Sequence, residues 1–161
     1  MRTQSDMKNS LSKFNSLALA MIFLGAFLVR IPFITQHPEG YHRHRQYHSY
    51  LIARSIYYDH FSIFPTPGWE KEVARAAAKA QRALEQPVLE LITAAGYGLL
   101  RRECLWIPRL INSLLWIIAG VFIYHLLKRS RAHAGAWIAL SFYLYFPFGV
   151  IASTSFQPDT Q

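Results

Sequence analysis

The sequence is short of charge, and shorter still of acid. Only 16% of its 161 residues are charged, with nine Asp and Glu against seventeen Lys and Arg. A soluble domain carries about 25% charged residues, so an ordinary soluble surface is not what this composition describes. A single cysteine excludes an intramolecular disulfide framework and any cysteine-based zinc knuckle. There is no Walker loop, GxSxG, GxGxxG or HExxH, so soluble nucleotide chemistry is not signalled. Internal repeats and low-complexity runs are missing too. What the chain does have is 52% hydrophobic and 15% aromatic residues, which excludes the disordered class. Mean hydropathy is only +0.12, too low for a chain that is membrane-embedded throughout, so apolar and polar material must be segregated. The formal net charge of +8 suits nucleic acid, anionic lipid or a phosphate-bearing substrate.

Three apolar runs follow. Leu17 to Val29 (LALAMIFLGAFLV) has no polar side chain and continues past Arg30 as IPFI. That length just spans a bilayer if Arg30 snorkels to the headgroups. No small-x-small cleavage site follows, so the run reads as a retained span over about 14–34 rather than a signal peptide. A second span is expected over 104–127, ending at Lys128, Arg129 and Arg131, and a third over 134–153. Trp106, Trp137, Tyr143 and Tyr145 suit the membrane interfaces. The basic tail of residues 1–13, read as a flexible leader, and the turn at 128–133 belong in the cytoplasm by the charge rule. Residues 35–103 and the segment after 153 then lie outside. The expected fold class is an all-α, polytopic membrane protein with three transmembrane helices and juxtamembrane amphipathic helices in a long first outer loop. The last run ends close to Gln161 without a closing basic anchor, which reads as truncation of a larger polytopic protein. A complete three-span protein is the alternative.

The outer loop is far longer than the usual helix–helix connection, and such loops are usually functional. QYHSYLIARSIYYDHF places Tyr47, Tyr50, Leu51, Tyr57, Tyr58 and Phe61 at helical spacing, so a helix is expected over about 44–61. The prolines of PTPG at 65–68 stop it. A second helix, 69–85, sets Trp69, Val73, Ala76, Ala80 and Leu84 opposite Lys71, Arg75, Lys79 and Arg82. That pattern is a helix lying in the membrane interface, or a solvated helix on a soluble cap. The run at 87–100 is apolar, holds Glu90, and is too short to span, so it reads as re-entrant or interfacial.

The densest polar cluster is GYHRHRQYH at 40–48. Arginine suits phosphate, and histidines bind metal or shuttle protons. His44 and His48 are four apart and are weak metal candidates, and anchoring to anionic headgroups is a further reading. Glu39, Glu85 and Asp159 stand at expected outer membrane edges and could converge on one cleft. Arg109, inside the second span, should face a polar cavity or a carboxylate.

HRHRQYHSYLIAR (42–54), EQPVLELITAAGYGLL (85–100), PRLINSLLWIIAGVFIYHLLKR (108–129) and STSFQPDT (153–160) resemble polytopic GT-C glycosyltransferases. The closest group is the bacterial protein mannosyltransferase and aminoarabinose transferase superfamily. The resemblance covers about residues 15–161 in the family's order. It implies a sugar donor carried on a polyprenyl phosphate and an acceptor on the outer face of the bacterial plasma membrane. No cofactor and no nucleic acid partner are expected, a divalent metal being an open but unsupported alternative, and membrane lipids are the surroundings; by the resemblance this chain would be the N-terminal portion of such an enzyme. Relatives place a carboxylate shortly before Ile-Ala-Arg, where this sequence has Arg45, Gln46 and His48. Glu39, Glu85, Asp159 or His48 are therefore the catalytic candidates. Arg45, Arg54 and Arg109 are candidates for the donor phosphate, and Gln46 and Gln157 for the substrate. Two other classes compete: a small accessory protein binding anionic lipid through its basic outer loop, and a histidine-based metal protein. Six of the seventeen basic residues anchor the expected cytoplasmic ends. The surplus outside turns the charge from a hint of nucleic acid toward lipid-linked phosphate.

Overall fold

A computed structural model describes residues 4–36, 42–62, 67–80, 86–129 and 133–156. Among these, every regular element is helical: α1 (Gln4–Thr35), α2 (Arg43–Ile56), a π-helical turn (Tyr57–Phe61), α3 (Gly68–Lys79), α4 (Val88–Leu100), α5 (Trp106–Arg129), α6 (His133–Tyr145) and α7 (Pro147–Ser153). Two segments are long and apolar enough to cross a membrane, Lys13–Thr35 of α1 and Trp106–Arg129 of α5. A third candidate counts only if the bent pair α6 and α7 is one span.

The third expected span, 134–153, is a bent pair rather than one continuous helix. The helix axes turn by 56° between Tyr145 and Pro147. Pro147 has no N–H for the carbonyl of Tyr143 and forces the preceding residue out of the helical region. Phe146 accordingly sits at φ −58°, ψ 125°. A second correction falls at the N-terminus. Helix α1 begins at Gln4, so the basic segment read as a flexible leader is helical from there.

Two apolar clusters organise the rest. Ala26, Tyr124, Ala136, Leu140 and Leu144 bring α1, α5 and α6 together. Gly120 permits this approach, because a Cβ there would stand 3.0 Å from Leu144 Cδ2. Tyr50, Ala53, Tyr57, Leu89, Ala94, Tyr97, Ile107 and Phe156 form the other cluster, where α2 and α4 pack beside the start of α5. The buried face of α2 is Gln46, Ser49, Tyr50 and Ala53. Tyr47, expected on the apolar face, is exposed. At 13 residues, α4 is about 20 Å long, short of the roughly 30 Å hydrocarbon core. It ends in a Schellman turn, with Arg102 N–H donating to Tyr97 O at 3.2 Å and Arg101 N–H to Gly98 O at 3.3 Å. The left-handed position falls on Arg101 at φ 55° rather than on a glycine.

Candidate functional site

Polar side chains inside an apolar bundle need partners, and here they form a closed circuit. Ala26 and Arg30 lie one turn apart on the inward side of α1, both fully buried. The Arg30 Nε–H donates to Ser153 Oγ at 2.8 Å. Its Nη1 donates to Ala26 O at 2.8 Å and Leu144 O at 3.0 Å. The last turn of α6 leaves carbonyls without helical donors; Arg30 supplies one to Leu144, and Trp116 Nε1 supplies another to Tyr143 O at 3.4 Å. Arg30 was expected to snorkel into the headgroups. It turns inward because the break between α6 and α7 offers it acceptors that a straight helix would not.

The short helix α7 needs the same service at its own end. Asn112 Nδ2 donates to Ser155 O at 2.7 Å and Ala152 O at 3.4 Å, and Ser113 Oγ to Ser153 O at 3.1 Å. Thr154 Oγ1 donates to Val150 O at 3.0 Å and Ser155 Oγ to Ala152 O at 2.7 Å. Phe156 N–H donates to Gln46 Oε1 at 3.4 Å, which also accepts from Arg109 Nη2 at 3.3 Å. Arg109 Nη1 then returns to α1, donating to Phe33 O at 3.1 Å and to Gln36 O. The circuit runs from α1 to α7, on through Phe156 to α2, then to α5 and back to the end of α1.

Two guanidiniums sit in this circuit with no carboxylate among the described residues. Among the described residues the ion pairs are Arg54 with Glu103 and Arg75 with Asp59, and neither involves Arg30 or Arg109. Both buried arginines also keep one unspent donor, Nη2 of Arg30 and Nε of Arg109. Both stand toward the same end of the apolar helices, Arg30 late in α1 and Arg109 early in α5.

The other expected site residues are dispersed. Arg45 and Arg54 are nine positions apart on α2, so they project from opposite sides about 13.5 Å apart along the axis. One phosphate cannot engage both. Arg54 is occupied by Glu103 at 3.0 Å and lies over the Tyr58 ring at 5.5 Å. The Tyr58 hydroxyl donates to the same carboxylate oxygen. Partial burial, with that hydrogen bond, pushes the Tyr58 phenol above its ordinary range. Gln46 is buried as the link between Arg109 and Phe156 rather than presented to solvent. His44 is exposed and His48 half-buried, with the Nε2 of His48 unpartnered. His48 shares a face of α2 with Ile52 and Ser55. Those two residues, with Asp59, Arg75, Lys79 and Pro87 among others, line an open cleft of about 500 Å³ beside α3. No group of three metal-binding side chains exists among the described residues. Glu39, Glu85, Gln157 and Asp159 lie outside the described residues.

Two features escaped the sequence reading. Arg30 is one. The other is Glu90, buried in the first turn of α4 with Oε2 unpartnered, where a helix N-terminus favours negative charge. At the start of α5, Leu105 O accepts from Tyr50 OH at 2.6 Å, and burial pushes the Tyr50 phenol up to about 12 despite the neighbouring Arg109 cation.

No known protein-family model matches this chain, and no curated protein or solved structure shows significant similarity to it.

Proposed function

We propose that the chain forms the donor-phosphate end of an integral-membrane glycosyltransferase, one that moves a sugar from a polyprenyl phosphate to an acceptor on the outer membrane face. One observation carries this reading: Arg30 and Arg109 are buried in one hydrogen-bonded circuit, have no carboxylate among the described residues, and each retain an unspent N–H. A guanidinium withdrawn from water without a counter-charge is destabilising, and charged groups among apolar helices mark ligand pathways. A lipid-borne phosphate supplies the missing negative charge from within the bilayer. Fixed guanidiniums also suit the chemistry. As the sugar leaves, negative charge grows on the phosphate oxygens, and preorganised donors stabilise that charge more than the ground state.

The acceptor needs a base. His48, with its free Nε2, is the candidate within the described residues, beside Glu39, Glu85 and Asp159 from the sequence. The basic residues early in α1 and in the last turn of α5 favour a cytoplasmic N-terminus in a bacterial plasma membrane, which puts the Arg30 and Arg109 end outward.

The test is photo-crosslinking of the reconstituted protein with a diazirine-bearing polyprenyl phosphate. Adducts are expected at the late turns of α1 and the early turns of α5, competed by polyprenyl phosphate and not by the uncharged polyprenol. Adducts elsewhere, or equal competition by the alcohol, contradict the reading.

A further inference from the structure

Helix α3 has two unlike faces, and the fold covers the less apolar-looking one. Ala74 is buried and Ala77 and Ala78 are half-buried, where α3 packs against α2. Trp69 and Val73 remain 65% and 56% exposed, and Ala76 and Ala80 are exposed beside them. At 100° per residue these four fall within one narrow stripe. A solvated cap helix would turn that stripe inward and leave the alanine side to water. The packing has it the other way round, although the large apolar side chains would gain most from burial in protein.

Charge accompanies the bare stripe. Lys71, Arg75 and Lys79 lie on the flank away from Trp69, and Arg75 is fixed there by its Nε–H donating to Asp59 Oδ1 at 2.8 Å. Helix α4 likewise leaves Val88, Leu91 and Ile92 exposed. An aromatic and aliphatic stripe whose polar flank carries three cations against one exposed carboxylate, Glu72, fits the boundary of an anionic bilayer, where the stripe enters the acyl edge and the cations stay at headgroup level.

We infer that α3 is a membrane-interface anchor that seats the 42–100 segment on an anionic lipid surface through Trp69 and Val73. This placement is independent of the glycosyltransferase reading. It is tested with the full chain in liposomes containing anionic phospholipid, in a Cys104→Ala background, by attaching a nitroxide at Val73→Cys or Lys79→Cys. A lipid-facing nitroxide at Ile118→Cys on α5 sets the depth scale. The expected result is a several-fold higher ratio of oxygen to water-soluble relaxant accessibility at 73 than at 79. That difference should shrink when zwitterionic lipid replaces anionic lipid, or in high salt. Equal ratios at the two positions would show a solvated helix. Protection of position 73 from both relaxants would show a protein partner or a second copy instead. Either outcome overturns the inference.

Discussion

The arginines of this molecule live in two different electrical settings. In the outer helices, Arg54 and Arg75 each face a carboxylate at 3.0 and 2.8 Å and remain partly open to solvent. Among the apolar helices, Arg30 and Arg109 are buried and, among the described residues, are answered by carbonyls, a serine and a glutamine. Exposed pairs contribute about 0–1 kcal/mol because water and salt already screen them. Buried cations are held by every hydrogen bond they make, and no carboxylate among the described residues meets these two. The outer pairs therefore fix local geometry, while the inner pair is where a ligand's charge has most to offer.

The comparison can be broken most forcefully from the inside. Arg30→Ala leaves a cavity and unmet acceptors where α1, α6 and α7 share a donor, and should lower stability by about 3–5 kcal/mol in detergent unfolding, whereas Arg54→Ala should not. A loss for Arg30→Ala as small as that for Arg54→Ala would erase the distinction.

Next in size is the alkaline limb. Tyr50 is an acid whose folded pKa, about 12, stands above its ordinary 10. Its contribution is fully present below pH 10 and is lost as pH rises toward 12, by about 2–3 kcal/mol. Tyr50→Phe should flatten that part of the stability profile, since the phenylalanine has no proton to lose. An unchanged slope would place the alkaline loss elsewhere.

Smaller effects sharpen the outer half. Arg101 occupies a left-handed position, so Arg101→Gly should raise stability by about 1 kcal/mol. Glu103→Gln should cost less than about 1 kcal/mol, and its effect should fade in high salt. A salt-independent loss of several kcal/mol would mean that the Arg54, Tyr58 and Glu103 cluster is not a surface feature.

These settings were unequally legible in the sequence. All-helical character follows from apolar runs and helical spacing, which are local signals. The break before Pro147 was also written locally, but the continuous hydrophobicity of 134–153 outweighed one proline in the reading. Arg30 was visible as a residue and invisible as a role. Its acceptors, Leu144 and Ser153, are 114 and 123 positions away, and one of them exists only because the helix breaks. Arg109 was marked by its place inside an apolar run, but the carbonyls and Gln46 that receive it belong to other helices. Arg45 and Arg54 looked like neighbours in a basic stretch, and helical rotation separates them. For α3 the sequence displayed both faces, and only its packing on α2 decides which stays bare.

If the two buried arginines take a lipid-borne phosphate, thermal unfolding of the purified chain responds to that phosphate. Polyprenyl phosphate at about 100 times its dissociation constant should stabilise the wild type by about 2.7 kcal/mol, while polyprenol at the same concentration should not. Arg109→Gln should abolish most of that difference. Equal midpoints with phosphate and alcohol, or a full phosphate shift retained by Arg109→Gln, would contradict phosphate binding by these arginines.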